Sequence, residues 1–285
     1  METGKIPDYI TYPKTFEKYR WYKPLITAVL TIVIWLALCY ISAQVIILIF
    51  GRQTIVGVFT VNLNSTSMAA LSLYYFLGLL LPSLYIANRI VRDRPFSSYC
   101  SSRGSWNWML FFRCAAITLA IYAVVTVIDM VVTNSYEFEN RMSPAFVIIA
   151  IIVVPLQCLA EEFAFRGFLM QTLGSWFSMP VLALIIQAIA FTFMHDYNSL
   201  GMIAIFVSGI TYGFLAWKSN GLEVSSAVHA INNLFAVMME GMMAVEQSAS
   251  DVSVEALVID IIIQITLAAV IYYVGKRNGW FGEIS

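Results

Sequence analysis

The sequence predicts an all-α fold, a polytopic membrane helix bundle of about eight transmembrane helices, and two observations carry that expectation. Of 285 residues, 60% are hydrophobic and only 12% are charged, with a mean hydropathy of +0.79. A soluble globular domain carries about 25% charged residues, so this chain cannot cover a water-facing surface. The apolar residues also gather in runs of about 18 or more, the length needed to cross the hydrocarbon core of a bilayer.

Eight such runs follow one another, over about 25–50, 69–88, 108–132, 145–172, 180–195, 200–217, 224–243 and 256–274. The first is too long for the apolar core of a cleavable signal, which spans roughly 7–15 residues, so it reads as a spanning helix. The fourth opens on Ser143-Pro144, a good cap and first-turn pair. It runs apolar to Ala160 and turns amphipathic through Gly167, as one long helix or one broken near that glycine. The bundle occupies residues 1–285 as a single membrane domain, without room for a second soluble one. The sequon Asn64-Ser65-Thr66 is short enough to arise by chance.

Loop charges set the expected topology. Lys5, Lys14, Lys18, Arg20 and Lys23 precede the first span, and Arg89, Arg92, Arg94 and Arg103 lie between the second and third. Lys218 follows the sixth, and Lys276 and Arg277 follow the eighth. Alternate loops are poor in basic residues, with Arg52 alone in the first and Arg141 alone in the third. The loop after span seven carries Glu246, Asp251 and Glu255. This alternation places both termini in the cytoplasm by the positive-inside rule. A net charge of −1 offers no surface for nucleic acid. The four cysteines, Cys39, Cys100, Cys114 and Cys158, lie far apart in or beside apolar runs and read as packing residues. Tyr22, Trp106, Trp108 and Trp217 near span ends suit the interfacial aromatic belt.

An ionisable side chain at the centre of a spanning helix costs roughly 2.5–3.5 kcal/mol on insertion scales, so each one needs a reason. Three segments concentrate them. In Glu161-Glu162-Phe163-Ala164-Phe165-Arg166, Glu162 and Arg166 are four apart with the acid first, the favourable order for a helical ion pair. Glu161 points about 100° away from Glu162 and cannot share that arginine as easily. The spacing therefore suggests a supporting pair, Glu162 with Arg166, and a free Glu161, whose desolvation would make it a better base. The bland alternative is a structural ion cluster at a membrane boundary. The second segment ends span five, Phe191-Thr192-Phe193-Met194-His195-Asp196. The third opens span seven, His229-Ala230-Ile231-Asn232-Asn233, with His229 and Asn233 on one face. These are the chain's only histidines, and both fall at or within spans.

A carboxylate, two imidazoles and an amide admit two chemistries. Glu161 and a histidine can activate water while the other histidine and Asn233 stabilise an oxyanion. Alternatively, two histidines and a glutamate can hold a catalytic zinc, although no HExxH segment favours a metal. Gln157, one turn before Glu161, reads as a lining residue of the same cavity. Asp129, Gln187 and Gln264 read as interhelical hydrogen-bonding residues.

Together the three segments resemble the CPBP family, the intramembrane proteases related to type II CAAX prenyl endopeptidases and bacterial Abi proteins. Its pattern is EExxxR, then FxxxH, then HxxxN or HxxxD on successive helices, here Glu161-Glu162…Arg166, Phe191…His195 and His229…Asn233, within about 145–240. The resemblance implies a glutamate-dependent endopeptidase with Glu161 as general base, His195 assisting, His229 and Asn233 as oxyanion stabilisers, and Glu162 and Arg166 as supports. It implies no metal cofactor, zinc being the less favoured version. It also implies a peptide or protein substrate at the membrane, either prenylated or a bacterial peptide precursor. A bacterial or archaeal plasma membrane is the expected location. Two other classes compete: a non-proteolytic membrane scaffold that regulates a partner, and a proton-coupled transporter using the same acids and histidines as a relay. One geometric condition follows from the topology. His195 falls at the outer end of span five and His229 at the inner start of span seven. For the rings to meet, span five must be short or tilted, or span seven must begin deep.

Overall fold

The computed structural model describes residues 7–51, 68–133, 138–242 and 251–282. Lys5, Arg52, Glu246 and the sequon at 64–66 lie outside the described residues. The helices are α1 (Lys23–Phe50), α2 (Met68–Gly78), α3 (Leu80–Val91), α4 (Ser97–Cys100), α5 (Trp108–Thr133), α6 (Pro144–Glu162), α7 (Gln171–Phe177), α8 (Pro180–Thr192), α9 (Ser199–Lys218), α10 (Glu223–Met242) and α11 (Val254–Arg277). A π-helical segment, Phe163–Met170, joins α6 to α7 without a break. Among the described residues there is no strand, and Ser101 and Gly221 form an isolated antiparallel bridge.

Among the described residues, six segments are long and apolar enough to cross a membrane: Lys23–Ile49, Leu71–Val91, Trp108–Val132, Pro144–Phe177, Ser199–Lys218 and Val254–Arg277. The other two of the expected eight are also helical but do not reach that standard. Helix α8 has 13 residues, about 20 Å at 1.5 Å per residue, against a hydrocarbon core of about 30 Å. Helix α10 is long enough but polar, carrying Glu223, Ser225, Ser226, His229, Asn232 and Asn233.

Local sequence sets the helix starts. Ser143 Oγ accepts from Phe146 N at 3.1 Å, Asn198 Oδ1 from Gly201 N at 2.8 Å and Ser253 Oγ from Ala256 N at 3.2 Å. Each satisfies one of the orphan amides of a first turn. The expected irregularity at Gly167 is the π segment, a wide turn of the kind found at functional sites. Glycine is required there, because a Cβ on Gly167 would stand 2.9 Å from the Tyr99 carbonyl oxygen.

Both ends of the described chain meet at one end of the bundle. Trp217 Nε1 donates to Asp8 Oδ2 at 2.8 Å, Tyr9 Oη to the Tyr99 carbonyl and Asn220 Nδ2 to the Phe281 carbonyl at 3.1 Å. The polar-looking N-terminal segment is thus part of the fold, with Tyr9 and Ile10 fully buried. Trp217 fastens that segment rather than serving only as an interfacial residue. Residues 219–230, from the α9–α10 turn into α10, are all buried. The turn is held by Leu222 N donating to Cys100 O at 2.8 Å and by an Arg103–Glu223 ion pair at 2.6 Å. Helix α10 therefore starts inside the protein, not at its surface.

Candidate active site

Five of the six expected site residues meet directly. Glu162 and Arg166 are fully buried, and Arg166 Nη1 donates to Glu162 Oε1 at 2.9 Å, the i,i+4 pair anticipated from spacing. The same Oε1 also lies 2.9 Å from His229 Nδ1. Glu162 thus joins Arg166 to His229. A carboxylate accepting at Nδ1 fixes that proton and turns Nε2 toward the opposite side of the ring. There, Glu161 Oε2 stands 3.6 Å from Nε2 and Asn233 Nδ2 3.3 Å from it. Glu161 Oε2 is buried and makes no hydrogen bond. Two carboxylates adjacent in sequence therefore face opposite nitrogens of one imidazole, which follows from their separation around the helix.

Aromatic rings hold that imidazole in place. Tyr212 of α9 stacks on His229, with centroids 4.9 Å apart and planes 25° apart. Phe191 meets it edge-on at 5.8 Å. The Arg166 guanidinium sits 4.3 Å from the Phe191 ring centroid, a desolvated cation–π arrangement. Arg166 Nη2 also donates to the Gly209 carbonyl at 3.4 Å, which accepts from Gln187 Nε2 at 2.9 Å as well. Gln187 is the interhelical hydrogen-bonding residue expected. Gln264, expected in the same role, instead donates within α11 to Asp260 Oδ1 at 3.4 Å.

The sixth residue, His195, reaches the group less directly. Its ring lies 4.7 Å from Phe191, so Phe191 touches both histidines. His195 Nδ1 is 2.9 Å from the Phe191 carbonyl oxygen. A carbonyl only accepts, so Nδ1 carries a proton, and in the neutral ring Nε2 keeps its lone pair. One of the conditions for the rings to approach one another is met, since α8 is short, and α10 begins among residues buried in the protein. Gln157 belongs with the site, its Oε1 lying 3.5 Å from Asn233 Nδ2.

Sequence reading missed Tyr212 and Gly209. Gly209 and Gly213 are four apart, a small-residue spacing that marks close helix approach. A Cβ on Gly209 would lie 3.1 Å from Ala188 Cβ. That spacing is a signal for the α8–α9 contact, whereas no pattern in the sequence singles out Tyr212.

The arrangement can orient a water between acceptors and present two nitrogen donors to a developing oxyanion. Among the described residues no group of three or more His, Cys, Asp or Glu side chains is placed to hold a metal ion. Both Nδ1 atoms are committed to oxygen acceptors within the protein.

Fold and site together define a polytopic helical membrane protein with a buried acid–imidazole centre. Residues 143–235 match the family model of the type II CAAX prenyl endopeptidase Rce1-like proteins, the CAAX-protease family whose motifs the sequence carries. That segment holds all six expected site residues. The chain is also 29% identical over 170 residues to a Bacillus subtilis (strain 168) protein named "Uncharacterized protein YyaK", covering 55% of this chain and 56% of that one. The alignment thus spans little more than half of that relative. No solved structure matches.

Proposed function

We propose that this chain is an intramembrane endopeptidase that hydrolyses a peptide bond near the membrane with water activated by Glu161 and His195. The observation that carries the reading is Glu161 Oε2, a buried carboxylate oxygen without a hydrogen bond, 3.6 Å from His229 Nε2. A structural ion cluster would hydrogen-bond that oxygen, whereas a general base keeps it uncommitted for the proton of a bound water.

Water would sit between Glu161 and His195 Nε2. Glu161 takes its proton as the oxygen attacks the scissile carbonyl and then passes that proton to the departing amine. The carbonyl oxygen becomes an oxyanion facing His229 and Asn233. Their nitrogens are 3.3 Å apart, close enough for one oxygen to accept from both. In this role His229 is the imidazolium, with Nδ1–H held by Glu162 and Nε2–H on the oxyanion. Glu162 and Arg166 keep the ring in place. The mechanism calls for no zinc.

The substrate is a peptide or protein at the bilayer, either a prenylated C-terminal segment or a bacterial peptide precursor. The site belongs to a multi-pass protein of a bacterial or archaeal plasma membrane, its basic end and both termini facing the cytoplasm. The test is cleavage of synthetic prenylated and unprenylated peptides by the purified protein in proteoliposomes, alongside Glu161→Gln. Loss of cleavage by a variant that melts like wild type is the expected result. Full activity in that variant defeats the mechanism. Activity abolished by a chelator and restored by zinc defeats the metal-free version.

A further inference from the structure

A cavity lies at the basic end of the bundle, outside the site just described. It encloses about 560 Å³ between the N-terminal segment and the turn after α3, and Lys18, Arg89, Arg92 and Arg94 line it against Glu17 and Asp93. Four cations thus face two carboxylates. One of the two, Asp93, is already occupied, accepting from Asn88 Nδ2 at 3.3 Å and standing 4.0 Å from Arg94. The balance favours an anion.

Arg94 forms the floor. Only 7% of it is exposed, and its guanidinium lies over the Tyr99 ring at 3.7 Å. Its two terminal nitrogens donate to Gln171 Oε1 and to the Gly167 carbonyl. Its Nε–H makes no hydrogen bond and stands 4.0 Å from Asp93 Oδ2, too far to donate. A buried charged donor left unsatisfied is costly unless a ligand completes it.

The surroundings identify the ligand's other half. The cavity sits where the apolar span Leu71–Val91 ends, and lipid headgroups flank the ends of a spanning helix. Tyr85, Ile86 and Ile90, within two turns of its mouth, are 46%, 39% and 58% exposed. Tyr85 packs edge-on against Phe96, itself a lining residue, at 5.1 Å. Trp21 and Tyr22, at the start of α1, are 66% and 45% exposed, as interfacial anchors are. A charged pocket thus continues into a lipid-facing apolar surface.

We propose that this cavity binds the phosphate of an anionic phospholipid, with Arg89, Arg92 and Lys18 at the mouth, Arg94 at the floor, and the acyl chains along Tyr85, Ile86 and Ile90. Basic pockets of this kind at helix ends are suited to acidic headgroups. The floor arginine also bonds to the π segment that carries Arg166, so a bound lipid would brace that segment.

The experiment is lipid titration of the purified full chain in detergent, read by thermal melting and by native mass spectrometry. Phosphatidylglycerol should raise the melting temperature and remain as an adduct, and phosphatidylcholine should do neither. Arg89→Gln/Arg92→Gln, at two exposed positions, should weaken phosphatidylglycerol binding by about 30-fold, and Lys276→Gln in α11 should leave it unchanged. If the double variant melts low without lipid, Lys18→Gln supplies the same comparison with a smaller loss. Equal response to both lipids, or wild-type affinity in a well-folded variant, overturns the site. Inorganic phosphate acting as potently as the lipid overturns the assignment to a lipid.

Discussion

Glu161 Oε2 stands 3.6 Å from His229 Nε2, on the side of the ring opposite to the nitrogen that Glu162 holds. The two neighbouring acids therefore separate by experiment. Glu161→Gln removes a base and leaves the hydrogen bonds of Arg166 to Glu162 and Gly209 in place. It should lower the turnover of a cleaved peptide by roughly 10²–10⁴, with a melting temperature close to wild type. A loss of activity accompanied by a large loss of stability would assign Glu161 a structural role instead.

Glu162→Gln should do the reverse. Arg166 is fully buried and would lose the carboxylate that neutralises it. Breaking a buried ion pair by removing one partner costs about 3–5 kcal/mol. Chemical unfolding should show a destabilisation of that order, and Glu162→Gln/Arg166→Met should recover much of the stability without recovering cleavage. A destabilisation below about 1 kcal/mol in the single variant would mean that water reaches Arg166.

Part of this site was legible in the chain because helical geometry is local. The four-residue spacing of Glu162 and Arg166 forecast their hydrogen bond, and the 100° step forecast that Glu161 would point elsewhere. That His229 takes Glu162 on one nitrogen and Glu161 on the other was not legible, because the ring arrives from a helix 67 residues away. The same holds for the fold. Apolar runs located the helices, but hydropathy does not reveal that α8 is only 13 residues long or that the polar helix α10 begins among buried residues. Tyr9 and Ile10 lie among the charged residues that precede the first span. Their burial depends on partners such as Tyr99, whose carbonyl accepts from Tyr9, and long-range pairings of this kind leave no periodic trace.

Tyr212 should matter through its ring. It stacks on His229 at 4.9 Å and fixes the plane in which Nε2 faces Glu161 and Asn233. Tyr212→Phe keeps the face and should retain most activity. Tyr212→Ala frees the ring to tilt, and misplacement of a catalytic group by about 1 Å can cost roughly 10²-fold. Steady-state kinetics of the two variants decide the matter, and equal losses in both would place the hydroxyl, not the ring, in the mechanism.

Gly209 sets the distance between α8 and α9. An added Cβ would lie 3.1 Å from Ala188 Cβ and 3.2 Å from Ala188 Cα, and the latter cannot rotate away. Its carbonyl also accepts from Arg166 and Gln187. Gly209→Val should therefore destabilise by about 1–3 kcal/mol and impair cleavage. A variant with unchanged melting and unchanged activity would show that the helices part without consequence.

Cys100 gives a pH-dependent readout of the buried turn that starts α10. Burial and then the charge of Glu223 push its thiol up to about 11. An ordinary cysteine near 8.5 is a few per cent thiolate at pH 7, whereas a thiol near 11 is roughly one part in ten thousand. Only the thiolate is alkylated, and the folded state holds the proton until high pH. Labelling at Cys100, followed by peptide mass spectrometry, should be very slow at pH 7 and rise about tenfold per pH unit up to about pH 10. Unfolding in denaturant should abolish the protection by restoring the ordinary thiol. Rapid labelling at neutral pH in the folded protein would mean that the 219–223 turn opens, and with it the anchorage of the start of α10.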